Sequence, residues 1–172
     1  MGDWTRCFLH PFTIIHSQLN GIPSLDPRNY SRARWFAPRD AEYEGDWLHG
    51  HPTRDSLPLG GIRNDYLKYP LARSDAPGAR LRFQFDGDAV GAFVLSGPDA
   101  GSILVSFDGG SPREIDLFYR YSKGLNYPRK VVLAEGLEKG SHTLDLEVSA
   151  THNAESVGHA VNLLYLGVNG NQ

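Results

Sequence analysis

The stretch Ala79-Arg80-Leu81-Arg82-Phe83-Gln84-Phe85 alternates apolar and polar residues with a period of two, so Leu81, Phe83 and Phe85 share one face while Arg80, Arg82 and Gln84 share the other. A helix would scatter these residues around its axis, whereas a strand with one buried and one wet face keeps them apart. The same signal recurs downstream in short pieces. Asp86-Gly87-Asp88 reads as a turn, Val90 to Leu95 as a strand, Gly97-Pro98-Asp99-Ala100-Gly101 as a second turn, and Ser102 to Phe107 as a strand in which Ile103, Val105 and Phe107 alternate. Asp108-Gly109-Gly110 has the composition of a hairpin turn, because both glycines tolerate positive φ. Further strands are expected at Arg113 to Tyr119, Lys130 to Ala134, Ser141 to Ser149 and His159 to Val168. No stretch carries a helical period of useful length, so the expected fold is all-β: an antiparallel two-sheet sandwich of the jelly-roll kind.

Upstream of this region the pattern is different. Pro11, Pro23, Pro27, Pro38, Pro52, Pro58 and Pro70 interrupt every candidate helix. Phe8, Phe12, Ile14, Trp35, Phe36, Trp47 and Leu48 are too many apolar residues for a disordered tail. Residues 1–75 are therefore expected to form a long, irregular, Pro-rich wrap packed on a sandwich core at 76–172, the whole being a single domain.

Composition narrows the classes of function. The 172 residues suit one domain, and 17 Lys and Arg against 20 Asp and Glu give a net charge of −3, which offers no excess cation for a phosphate backbone or an anionic membrane. Neither nucleic acid nor membrane is expected as a partner. Cys7 is the only cysteine, which excludes an intrachain disulfide and a thiolate metal cluster. The opening Met1-Gly2-Asp3-Trp4-Thr5-Arg6-Cys7 has no basic region followed by an apolar run, and no stretch approaches the ~18 apolar residues of a membrane span. The chain is thus expected to be either cytoplasmic or part of a longer secreted protein.

Two constellations invite chemistry and fail on arrangement. Asp46, His49 and Ser56 resemble fragments of a serine hydrolase, but a nucleophilic serine needs a histidine held by a rigid scaffold, and here all three lie in Pro-rich loop. They are read as decoys, with no catalytic residue assigned. His49 and His51, two apart, would share a face of an extended segment, yet no third zinc ligand has suitable spacing. Calcium fits better: Asp86, Asp88, Asp99, Asp108 and Asp116 lie in or beside turns, and a structural calcium ion near Asp86, Asp88 and Asp108 is the one cofactor the pattern allows.

Asp116-Leu117-Phe118-Tyr119-Arg120-Tyr121-Ser122-Lys123-Gly124-Leu125-Asn126-Tyr127-Pro128-Arg129 puts three tyrosines and two arginines into a loop leaving a strand. A flat ring stacks on the C–H face of a pyranose while Arg and Asn donate to vicinal hydroxyls, so Tyr119, Arg120, Tyr121, Asn126, Tyr127 and Arg129 are candidate sugar ligands, joined by Asp99, Trp47 and His49. The competing reading has the tyrosines covering a sheet edge and the arginines paired with nearby acids.

Gly97-Pro98-Asp99-Ala100-Gly101, Ser106-Phe107-Asp108-Gly109-Gly110, Asp116 to Ser122, Gly124-Leu125-Asn126-Tyr127-Pro128, Gly140-Ser141-His142-Thr143-Leu144 and Asn153 to Ala160 together, in that order, resemble the β-sandwich domain that follows the catalytic domain in bacterial SGNH/GDSL hydrolases. Leu25-Asp26-Pro27-Arg28-Asn29-Tyr30 is similar to the segment that leads into that domain, and the resemblance covers roughly residues 24 to 170. It implies a galactose-binding-like jelly roll, a parent esterase acting on carbohydrate, and export to the periplasm or medium as part of a longer bacterial protein. The expected function is a non-catalytic carbohydrate-binding accessory domain. The alternatives are an interface domain that docks on and completes the catalytic SGNH domain and, more weakly, a stand-alone esterase built on Ser56.

Overall fold

Two strands far longer than the sequence suggests organise the molecule. The computed structural model describes residues 33–170, so the readings made on Phe8, Phe12, Ile14, Cys7 and Leu25 to Tyr30 lie outside the described residues. Within it, nine strands run in chain order: β1 Ala33–Phe36, β2 Glu42–Glu44, β3 Leu48–Gly50, β4 Leu71–Ser74, β5 Arg80–Ser96, β6 Ser102–Phe107, β7 Arg113–Asp116, β8 Tyr127–Val148 and β9 Val161–Asn169. All their pairings are antiparallel. Among the described residues no helix is long and apolar enough to cross a membrane.

β5 and β8 pair from end to end except at the corner around Asp88 and residues 136–139, and their two halves belong to different layers. The first half of β5 pairs with the second half of β8, which also pairs with β6, and β6 with β7, while β2 flanks β5 at Arg80 to Arg82. The second half of β5 lies between the first half of β8 and β9, and β9 carries β1 at one end and β4 at the other, with β3 outside β4. One continuous ladder thus folds over on itself to make a jelly-roll sandwich.

The fold-over explains a misreading. Asp86-Gly87-Asp88 is not a turn between strands; it is a bulged corner inside β5, where register shifts between Gly87 and Ala89 and again between Val90 and Gly91. Before the corner Leu81, Phe83 and Phe85 face the core, and after it Val90, Ala92 and Val94 do, so the parity of the buried face flips by one residue. A bulge adds one residue and bends the strand, which is what a strand changing layers needs. β8 flips likewise, from Val131 and Leu133 to Leu144, Leu146 and Val148, across the unpaired residues between Glu135 and Gly140. The two strands expected at 130–134 and 141–149 are therefore one. Gly87 is required at the corner because a Cβ there would collide with the Asn169 carbonyl and with Val168.

Both halves contribute to one apolar core, in which Leu133, Leu144 and Val148 have no exposed surface. Burying each such leucine contributes roughly 1.5–3 kcal/mol. A satellite cluster of Leu57, Leu71, Leu95 and Leu164 sits under Tyr66, Tyr69, Phe93 and Tyr165.

Three expectations shift in detail. The β6–β7 turn places Asp108 (φ 52°) and Gly109 (φ 75°) in the left-handed region, not Gly109 and Gly110, and Gly110 N–H donates to the Phe107 carbonyl at 2.8 Å. β7 stops at Asp116, short of Tyr119, because Phe118 N–H turns to the Asp116 carboxylate at 2.8 Å. Residues 33–75 are less irregular than their prolines suggest, since β1 to β4 all join the sheet.

Candidate functional site

Four loops meet at one end of the sandwich. Gly61 forms a bridge with Leu125, Ala100 one with Ala160, and Val157 N–H donates to the Pro98 carbonyl at 3.0 Å, so segments 57–62, 97–101, 117–126 and 151–160 are tied together. The tyrosine-rich loop stands in this assembly. Tyr119, Tyr121 and Tyr127 pack as a triad with every pair of ring centres 5.4 Å apart, Tyr121 half-exposed and the other two half-buried.

Two guanidinium groups serve this triad. Arg120 lies 4.7 Å from the Tyr121 ring centre and 5.7 Å from that of Tyr119, and Arg129 lies 5.2 Å from Tyr119. Arg129 also donates through Nη1 to the carbonyls of Leu117 (2.8 Å) and Phe118 (3.1 Å), which fixes the loop where it leaves β7. Among the described residues neither arginine forms an ion pair with a carboxylate. The acid-paired alternative for these arginines is not found among the described residues. Arg120 is exposed, with its guanidinium packed against the Tyr119 and Tyr121 rings.

Asn126 and Asp99 hold the loops in place beneath the triad. Asn126 is buried and donates through Nδ2 to the Leu59 carbonyl (2.8 Å) and, more weakly, to that of Gly61 (3.3 Å). Asp99 is buried against Arg73 at 3.0 Å, and Arg73 reaches on to Asn162 Oδ1 at 2.7 Å. Both residues stand against the Cα of Gly97, where a Cβ would meet Asn126 Oδ1 at 2.5 Å and Asp99 Oδ1 at 2.9 Å. Neither presents its side chain on the surface, so their expected role as sugar ligands becomes one of positioning.

Trp47 and His49 are brought together elsewhere. Their rings pack on Tyr43 at 5.0 and 4.5 Å, and Tyr43 donates its hydroxyl to the Pro38 carbonyl at 2.8 Å. Burial and the neighbouring Asp40 raise the Tyr43 pKa far above its ordinary value. Ser56 is a turn residue: its Oγ donates to the His51 carbonyl (3.0 Å) and accepts the Thr53 N–H (2.8 Å). His51 in turn meets the Tyr69 carbonyl through Nδ1 at 2.9 Å.

Two of the aspartates expected around calcium, Asp88 and Asp108, have other partners. Asp88 accepts from Asn169 Nδ2 at 2.8 Å, while Asp108 accepts from His142 Nδ1 (2.7 Å) and the Thr143 N–H (2.8 Å). Among the described residues no three His, Cys, Asp or Glu side chains come together to hold a metal. Asp88 and Asp108 thus already have hydrogen-bond partners, Asp86 and Asp88 lie two residues apart on β5, and Asp108 lies in the β6–β7 turn. His142 also meets the Glu138 carbonyl through Nε2 at 2.7 Å. That contact and the Asp108 carboxylate raise its pKa, and His142 and Thr143 in turn lower that of Asp108.

Sequence reasoning missed a second aromatic surface. Trp35, half-exposed on β1, adjoins Phe93 and Tyr165, which continue into Tyr69 and Tyr66 across the outer face of the β9 layer. The available signal was the pair of glycines inside strands, Gly91 and Gly167.

No protein-family model matches the sequence, and no curated protein matches it. Solved structures do share its fold. A two-domain esterase active on acetylated mannans, crystallised with mannopentaose, superposes with a TM-score of 0.62 over 94% of this chain and 44% of its own, at 11% identity. A family two carbohydrate esterase from Cellvibrio japonicus gives 0.51 over 81% and 34% at 20% identity, and a family 35 carbohydrate binding module from Clostridium thermocellum gives 0.54 over 81% and 98% at 10%. The chain therefore spans less than half the length of those two esterases and nearly all of the binding module. At such identities the likeness establishes the β-sandwich expected from the sequence; what it binds has to be argued from the residues.

Proposed function

We propose that this domain binds carbohydrate at the loop end of the sandwich through Tyr119, Tyr121 and Tyr127, with Arg120 as the principal hydrogen-bond donor. The observation that carries the reading is the triad itself, half-exposed at Tyr121 and flanked by an arginine that has no acid partner among the described residues. Aromatic faces supply stacking, and a planar cation supplies paired donors to vicinal hydroxyls. The fold shared with carbohydrate esterases and a binding module supports the same class of ligand. We further propose that the domain accompanies a catalytic domain of SGNH/GDSL type in an exported protein, a reading supported by its spanning only 34% and 44% of the esterases it resembles in fold.

Affinity electrophoresis in gels containing glucomannan, xylan or mixed-linkage β-glucan tests the reading. Retardation by at least one polysaccharide that Tyr121→Ala abolishes is expected; migration unchanged in all three would overturn it.

A further inference from the structure

The outer face of the β9 layer contains one cross-strand row with an unusual composition. Trp35 on β1 pairs with Gly167 on β9, Gly167 with Gly91 on β5, and Gly91 with Val132 on β8. Two side-chain-free positions thus lie side by side between two large walls, and they open a groove of about 330 Å³ lined also by Lys130 and Asn169. The indole is laid flat on its floor. A Cβ on Gly167 would meet three atoms of the six-membered ring at 2.9, 3.2 and 3.3 Å, so one face of Trp35 rests on backbone while half the residue's surface remains exposed. Glycine inside a strand costs stability and is retained where something must approach the backbone closely. Here the indole lies on Gly167, while Gly91 accommodates the Val131 carbonyl, which a Cβ would meet at 2.8 Å, so neither position adds a side chain to the groove floor.

The polar fittings point to a hydroxylated ligand. Exposed Lys130 holds its ammonium 5.6 Å from the centre of the Trp35 ring, on a stem free to swing toward a ligand oxygen. Asn169 is more than nine-tenths buried at the groove, and among the described residues its Oδ1 has no hydrogen-bond partner although its Nδ2 is held by Asp88. A buried acceptor left unpaired carries a free-energy cost that a ligand hydroxyl would remove. Protein docking suits the face less well. Only Trp35 and Val132 among the groove residues are large, apolar and half-exposed, far short of the ~800 Å² that a stable interface takes from each partner.

We infer that this groove is a second saccharide-binding site, separate from the tyrosine loop, in which Trp35 stacks on a sugar ring and Lys130 and Asn169 bond its hydroxyls. It extends the carbohydrate-binding reading to a different face, so the two sites are scored separately in one experiment.

The full chain, labelled with 15N, is titrated with mannopentaose, cellopentaose and xylopentaose and followed by amide and indole N–H resonances. With at least one pentaose, saturable shifts are expected at the Trp35 indole and at the Gly91, Gly167 and Asn169 amides. Trp35→Ala should weaken binding read at the Gly91, Gly167 and Asn169 amides about two- to tenfold, the scale of a lost aromatic stack, and leave shifts around Tyr121 unchanged. Lys130→Ala, an exposed substitution that spares the fold, should weaken the same set. Shifts confined to the tyrosine loop would overturn the groove and keep the loop, shifts confined to the groove would do the reverse, and no shift with any pentaose would overturn both.

Discussion

Arg73 and Asp99 form an ion pair 3.0 Å long whose side chains are only 10% and 11% exposed, linking β4 to the loop that follows β5. Asp75 also approaches Arg73, at 3.3 Å, but its side chain is 69% exposed and its attraction is correspondingly screened. Removing Asp99 therefore strands a mostly buried guanidinium. Asp99→Ala should lower unfolding stability by about 3–5 kcal/mol, the range for breaking one side of a buried pair. Chemical denaturation measures this; a change confined to sugar affinity with stability intact would contradict the positioning role.

Arg120 is offered as a hydrogen-bond fork, not as a bare charge. Arg120→Lys should therefore lose nearly as much polysaccharide affinity as Arg120→Ala, because an ammonium cannot reproduce the planar pair of donors. Isothermal titration against the polysaccharide that retards the wild type distinguishes the cases. Full retention of affinity by the lysine variant would show that charge alone suffices.

Gly87 sits where β5 crosses between layers, with the Asn169 carbonyl and Val168 in the space a Cβ would take. Gly87→Ala should destabilise the domain by about 1–3 kcal/mol through overpacking against backbone. Thermal unfolding read by circular dichroism checks it, and a neutral outcome would mean that the corner can widen.

His142 bridges the Asp108 turn and the Glu138 carbonyl, both ring nitrogens facing acceptors, an arrangement that needs both N–H protons and so the imidazolium. Its raised pKa means that its contribution is complete below the ordinary value of about 6.5 and is lost as pH rises through the higher folded value. The lowered pKa of Asp108 makes its share complete above about 3.9 and lost as pH falls through the depressed value. The clip is thus strongest between about pH 4 and 6.5. Hydrogen exchange at the Thr143 amide, which donates to Asp108, should show falling protection above that window once intrinsic rates are corrected. His142→Ala should remove the pH dependence.

Ser56→Ala should cost about 0.5–1.5 kcal/mol, the worth of the hydrogen bonds its hydroxyl makes to the His51 carbonyl and the Thr53 amide. Any hydrolysis of p-nitrophenyl acetate by the chain should be unaffected. A rate lost with this substitution would instead revive the esterase reading.

Much of the fold was legible because alternation is a local property. Leu81, Phe83 and Phe85, like Leu144, Leu146 and Val148, declare their buried face within a few residues, and Asp108-Gly109 declares its hairpin. The corner at Gly87 was legible as an interruption but not as a crossing, since the same Asp and Gly residues serve a turn or a bulge and only the partner strand decides. The candidate site was legible in part. Tyr119, Arg120, Tyr121, Tyr127 and Arg129 fall within one loop and do assemble, whereas Asp99 and Asn126 turn inward and Trp47 and His49 join Tyr43.

By itself the sequence determined the strands downstream of Ala79, the buried face of the first half of β5, of β6 and of the second half of β8, and the loop in which aromatic and cationic groups concentrate, because each depends on neighbours a few positions apart. Tertiary structure alone decided which aspartates pair with Arg73 or His142, that Arg120 packs on the Tyr119 and Tyr121 rings, and that Trp35, Gly167, Gly91 and Val132 stand in one row. The reason is physical: strand register joins residues as far apart as 35 and 167, and register is set by the packing of the whole sandwich, not by the residues it brings together.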